Sequence, residues 1–164
     1  MKSFRNSWRE FSEETDFSIS CFLMTLTLMA CGGNTNGGKT VANQTTNIKI
    51  KLIFNNEEVM VSMYDNPTSQ DFLQRLPMTI TFEDYAGTEK ISRLEKRLSI
   101  KAAPSGIDPS VGDFTYYSPW GNLAIFYQDF GYSSRLVKLG HIEVGVEKLV
   151  KMNGSFTMTI EQAQ

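Results

Sequence analysis

The chain has 164 residues, 41% of them hydrophobic, which suffices for one core of ordinary size and leaves no room for two full domains. Its 16 Lys and Arg against 18 Asp and Glu give a net charge of -2. A chain so balanced has no basic field to hold nucleic acid or an anionic lipid surface, and both partners are set aside.

Residues 19–30 (ISCFLMTLTLMA) form an apolar run with the length of an export-signal core, too short to cross a bilayer as a helix. Its end, Leu28-Met29-Ala30-Cys31-Gly32, resembles the lipobox of bacterial lipoproteins, which implies lipidation of Cys31. The Gly-, Asn- and Thr-rich stretch that follows fits a flexible tether. The expected organisation is therefore an export signal over 1–30, a tether over 31–47 and a folded domain over 48–164, anchored at the bacterial cell envelope. Lys2, Arg5 and Arg9 are mixed with Glu10, Glu13, Glu14 and Asp16, unlike a basic signal start, and a misassigned upstream start would explain it. The alternative is a buried helix over 19–30 with Cys31 as an ordinary thiol. Cys21 lies inside the signal, so a cleaved chain keeps one cysteine and has no intramolecular disulfide.

In the domain, Ile48, Ile50, Leu52 and Phe54 alternate with Lys49, Lys51 and Ile53, Asn55-Asn56 interrupts, and Val59 and Val61 resume. That pattern is a hairpin with one buried face. Thr68 is placed to cap a short helix over 69–76, with Phe72, Leu73 and Leu76 on its apolar face and Pro77 as its stop. Residues 78–82 (MTITF) read as a strand that ends in a turn at 83–87. Residues 88–99 carry charge on both faces and leave strand and loop open. Pro104, Gly106, Pro109 and Gly112 predict a long irregular connection over 102–112. Strands follow over 112–117, 123–127 and 136–142, the first two joined by a turn at 118–122. Residues 144–152 fit a short helix with Val146, Leu149 and Val150 inward, and Phe156, Met158 and Ile160 alternate in a closing strand. Many short strands and two short helices make a mainly β domain.

Chemistry-bearing patterns are sparse. His141 is the single histidine and sits in a strand, where a structural or surface role is the ordinary one. A zinc site needs more ligands than His141 and Cys31 supply, so neither metal nor cofactor is expected. Glu83 and Asp84 are adjacent and in a strand point to opposite faces, which rules out a facing acid/base pair. Ser105 lacks the glycine pattern of a nucleophile elbow. The aromatic cluster Tyr116, Tyr117, Trp120, Phe126, Tyr127, Phe130 and Tyr132 reads first as core and turn packing. The other reading is a cleft for a peptide or small ligand, formed by Phe82, Tyr85, Trp120, Phe126 and Tyr127, with Arg135 to fix a carboxylate.

Leu139-Gly140-His141-Ile142-Glu143-Val144-Gly145 and the apolar residues to Val150 are similar to the segment that ends the cyclophilin barrel. Residues 76–85 with Glu89-Lys90, then Gly112-Asp113, Pro119-Trp120-Gly121-Asn122 and Phe126-Tyr127, resemble the bacterial cyclophilin-like domain family over most of 48–162. The resemblance implies a closed barrel of about eight strands with two short helices. It does not carry the activity of classical cyclophilins, peptidyl-prolyl isomerisation. Their arginine, phenylalanine and glutamine motif is absent, and Gly131 and Leu136 stand where the resemblance would put the pocket tryptophan and histidine. Without the arginine most of the electrostatic contribution is lost. Three functions remain: a monomeric, non-catalytic binding domain, an isomerase acting on envelope proteins, and a structural accessory subunit.

Overall fold

A computed structural model describes residues 45–164, so the expected export signal over 1–30, Cys31 and the tether up to residue 44 lie outside the described residues. In chain order the elements are β1 (Thr45–Phe54), β2 (Glu57–Tyr64), α1 (Pro67–Leu73), β3 (Met78–Tyr85), β4 (Glu89–Arg93), β5 (Gly106–Ile107), β6 (Asp113–Tyr117), β7 (Asn122–Phe126), β8 (Ser133–Ser134), β9 (Leu136–Ile142), α2 (Val146–Val150) and β10 (Phe156–Gln162). Eight of the strands close into a barrel in the order β1-β10-β3-β4-β7-β6-β9-β2, and β5 pairs with β8 in a separate two-stranded sheet. The mainly β, eight-stranded closed barrel with two short helices is thus the observed fold. β1 begins at Thr45, three residues before the expected domain start.

Alternation dictates which residues fill the barrel. Ile50, Leu52 and Phe54 from β1, Val59, Val61 and Met63 from β2, and Phe156, Met158 and Ile160 from β10 are all buried in one cluster, with Phe82, Phe114, Tyr116, Leu123 and Ile125. Each such side chain stabilises the fold by about 1.5–3 kcal/mol on burial. Phe72 of α1 meets Phe114 edge-on, with ring centroids 5.3 Å apart, so the helix contributes to the same core.

Turn chemistry sets the registers. Asn55 and Asn56 both take positive φ, 44° and 61°, the conformation of a two-residue hairpin turn whose twist matches the flanking strands. Ala86 and Gly87 do the same, with φ of 53° and 65°. β3 therefore runs three residues past the expected end at Phe82, and the undecided 88–99 segment divides into β4 and a loop. At Gly140 the close approach of β2 excludes any side chain, since a Cβ there would lie 2.7 Å from the Ser62 carbonyl oxygen.

Both helices differ from expectation at their ends. α1 starts at Pro67 because Asn66, not Thr68, is the cap: its side chain accepts the Ser69 N–H at 2.9 Å, and Pro67 suits the first turn. It ends at Leu73, three residues early. Arg75 then makes a bidentate pair with Asp71 and donates to the carbonyls of Lys96 and Arg97, tying the loop after β4 to the helix. α2 begins only at Val146, because Gly145 takes a left-handed φ of 100°. Leu149 is fully buried and Val146 packs against the core, but Val150 is exposed, so the expected inward stripe loses its last member. The irregular 102–112 connection contains β5, which pairs with β8 and packs its Ile107 against Ala124, Phe126 and Leu136 on the outside of the barrel.

Candidate functional site

β7 shows where to look. All five of its residues, Asn122 to Phe126, are buried, which a barrel strand with a solvated outer face does not permit. Leu123 and Ile125 face the interior, while Ala124 and Phe126 face outward into a second apolar cluster with Leu136, Ile91, Ile107 and Tyr117. The barrel therefore carries a covered patch on its outer wall, spread over β4, β7, β6 and the start of β9.

Pairing places further residues on that outer face. Tyr85 pairs with Glu89 and Glu89 with Phe126, and paired residues in an antiparallel ladder point to the same side. By the same rule Arg93, Asn122 and Tyr117 share the outer face four positions along. Trp120, in the β6–β7 turn, bridges the rows: its ring stands nearly perpendicular to Tyr85 (centroids 5.8 Å apart, 88°) and to Tyr117 (5.7 Å, 81°).

Two polar groups in this patch lack an answer. Glu89 is 8% exposed, and its side chain makes no hydrogen bond or ion pair among the described residues. Burial alone pushes its carboxyl up to about 7 from an ordinary value of 4.5. Asn122 donates its side-chain N–H to the Leu123 carbonyl at 3.2 Å, but its Oδ1 is buried with no hydrogen-bond partner. The Tyr117 hydroxyl is pushed up chiefly by burial, opposed by the positive charge of Arg135 and reinforced by Glu89 and Tyr85. These groups thus sense one another across the patch.

The six residues expected to form a cleft divide between the two sides of the wall. Tyr85 and Trp120 meet on the outer face, Phe126 lies beneath them in the outer cluster, and Arg135 acts electrostatically on Tyr117. Arg135 also lines a cavity of about 460 Å³ with Arg97, Ser105, Ser118, Pro119 and Val137. Phe82 is fully buried in the barrel core, stacked near Phe156, and so cannot line a surface cleft. Tyr127 faces the interior side, where its hydroxyl donates to Asp84 at 2.5 Å and its ring lies under the Lys90 ammonium.

The remaining sequence candidates have structural partners. Asp113 is buried and accepts from Lys138 at 2.6 Å, from the Ser110 N–H at 2.8 Å, and pairs with His141 at 2.9 Å. His141 thus orients a buried carboxylate network. Ser105 sits within hydrogen-bond distance of the Tyr132 hydroxyl. Glu83 and Asp84 lie within β3 and point to opposite faces, rather than in a turn that ends it. Gly131 is exposed and Leu136 belongs to the outer cluster, so neither presents a polar donor there. Among the described residues, no group of three or more His, Cys, Asp or Glu could hold a metal, and no helix is long and apolar enough to cross a membrane. Sequence reasoning missed Glu89, Asn122 and Tyr117 as site residues. The signal was available in the unbroken apolar run of β7, which demands a covered outer face on its neighbour β4 as well.

An eight-stranded closed barrel with a covered, partly polar patch on its outer wall defines the structural class. Residues 52–161 match the Cyclophilin-like family, and the chain belongs to that family. A hypothetical protein from Archaeoglobus fulgidus, solved in solution, has the same fold, with a TM-score of 0.54 and 17% identity over 73% of this chain and 98% of that one. No curated protein sequence matches the chain.

Proposed function

We propose that this cyclophilin-like domain is a non-catalytic binding module, held at the bacterial cell envelope by a lipid on Cys31, whose outer barrel wall takes a peptide or small ligand. The carrying observation is Asn122 Oδ1, buried without a partner, with the largely buried Glu89 carboxyl on the same outer face, beside the cluster of Ile91, Ala124 and Phe126 and the rings of Tyr85, Tyr117 and Trp120. Burying a polar group without a partner is costly, and a ligand that supplies the partner recovers that cost. The reading is non-catalytic because Gly131 and Leu136 offer no donor to polarise a prolyl amide. The anchor rests on the sequence around Cys31 and on the tether after it.

The test is fluorescence titration of the full chain with a panel of peptides and metabolites. The chain has two tryptophans, so Trp120→Phe supplies the background. Saturable quenching that disappears in Trp120→Phe is the expected result; no response across the panel leaves an accessory role. A protease-coupled isomerisation assay on the same protein should stay at background. Turnover that Trp120→Ala removes would make it a peptidyl-prolyl isomerase instead. Cys31→Ser should move the protein from the membrane fraction to the soluble one.

A further inference from the structure

The cavity of about 460 Å³ is bounded by the loop after β4, the β6–β7 turn and the start of β9, and it has the size of a small-ligand site. Arg97, Arg135 and Ser105 supply polar groups to its lining, and Ile100, Pro104 and Val137 supply apolar ones. No aspartate or glutamate lines it, and neither guanidinium is in an ion pair among the described residues. Two cations with no carboxylate between them leave a positive potential that an anion relieves.

Both arginines are held in place by the fold. On one side of Arg97 the Leu98 N–H donates to the Tyr116 hydroxyl at 3.1 Å, and the Arg97 carbonyl accepts from Arg75 at 2.8 Å. The Arg97 guanidinium donates to the carbonyls of Ser118 and Pro119, which occupies part of its fork and leaves the other N–H groups without a protein acceptor. Arg135 is fixed to the same Ser118, whose N–H and hydroxyl both donate to the Arg135 carbonyl at 3.2 Å, while the Arg135 N–H donates to Ser105 at 2.6 Å. Its φ is 62°, in the left-handed region where glycine is the ordinary residue. The backbone is thus pinned in a conformation that disfavours a side chain, yet the guanidinium it carries makes no hydrogen bond among the described residues. A strained residue held this way points to a use for its side chain.

We infer that this cavity is an organic-anion site, separate from the outer-wall patch, that takes a carboxylate carried on a short apolar chain. The carboxylate accepts from Arg135 and from the spare N–H groups of Arg97, in the forked geometry that suits a guanidinium. The chain lies against Val137, Pro104 and Ile100, the last 52% exposed without it. That apolar lining is what separates the ligand from a bare inorganic anion.

The experiment is an NMR titration of the nitrogen-15-labelled full chain with hexanoate, hexan-1-ol, acetate and inorganic phosphate. Hexanoate should give saturable shifts at Ser105, Ser118 and Arg135, and should bind at least about tenfold more tightly than any of the other three, since hexanol lacks the charge and the two small anions lack the chain. Arg135→Gly removes the guanidinium and suits the left-handed backbone, so it should weaken hexanoate at least about tenfold with the Tm unchanged or raised. Arg135→Asn, which tolerates the same backbone, should weaken it equally. Hexanoate without saturable shifts at these residues overturns the inference, as does an unchanged affinity in both variants. Hexanol binding as tightly as hexanoate removes the role of the arginines, and acetate or phosphate binding as tightly removes that of the apolar lining; either result also overturns it. The outer-wall reading is scored by Trp120 quenching with the peptide and metabolite panel, so the two can fail separately.

Discussion

Glu89 and Lys90 are neighbours on β4, are both almost fully buried, and are treated in opposite ways by the fold. Lys90 points into the barrel, where its ammonium donates to Asp84 at 2.7 Å and to the Met152 carbonyl at 2.6 Å and lies 4.9 Å from the centre of the Tyr127 ring. Burial pushes the Asp84 carboxyl up, but hydrogen bonds from Lys90 and Tyr127 outweigh it and hold the group below its ordinary range. Glu89 points out of the wall with no such partners, and its carboxyl is pushed the other way. A buried charge with a complete set of partners is part of the barrel's construction. One without them is a stability cost.

Variants on the two sides of the wall should therefore behave differently. Phe82→Ala removes a fully buried ring from the interior, and urea unfolding should show a loss of about 4 kcal/mol with no change specific to ligand. A loss below about 1 kcal/mol would mean that the interior is not where the fold is held. Glu89→Gln should go in the opposite direction. A carboxyl whose folded value lies near 7 against an ordinary 4.5 contributes stability that is fully present below about pH 4.5 and is lost as pH rises through 7. At pH 8 the variant should be more stable than the parent by about 3 kcal/mol, and at pH 4 indistinguishable from it. A parent whose urea midpoint is flat between those pH values would show that Glu89 reaches water.

The interior was legible in the sequence because alternation is a direct record of which side of a strand meets the core. The turns at Asn55-Asn56 and the runs of β1, β9 and β10 follow from it, and so does the barrel once the resemblance is added. β4 was not legible, because a period-two reading takes charge as the mark of solvent, and Glu89 and Lys90 are two charges buried on opposite faces. Phe82 was misplaced for a related reason: its alternation with Ile80 and Met78 already marked it as core, while its aromatic character suggested a cleft. Tyr85 and Trp120 could be picked out as aromatic residues near turns, but their perpendicular ring contact is visible only in the folded barrel. Asn122 looked like a turn residue, and its unpaired oxygen is visible only once β7 is known to be covered on both faces.

The interior cluster provides the sharpest contrast with Glu89, because its parts can be removed one at a time. Asp84→Ala leaves the Lys90 ammonium buried without an anion, and should cost about 2–3 kcal/mol. That lies below the range for a fully buried pair because the Asp84 side chain is 34% exposed. Adding Lys90→Met to Asp84→Ala should recover most of the loss, since the second change removes the stranded charge and fills the space with an apolar chain of similar length. No recovery would mean that the Lys90 bond to the Met152 carbonyl, not the ion pair, is what the fold depends on. Tyr127→Phe is the finest cut. It keeps the ring under Lys90 and deletes only the hydroxyl that donates to Asp84, so urea unfolding should show a loss of about 1 kcal/mol in the parent. In the Asp84→Ala background the acceptor is already gone, and the same change should be close to neutral, which a double-mutant cycle reads directly. A full loss in both backgrounds would show that the Tyr127 hydroxyl acts through some other group, and that the interior charges are less completely partnered than their distances indicate.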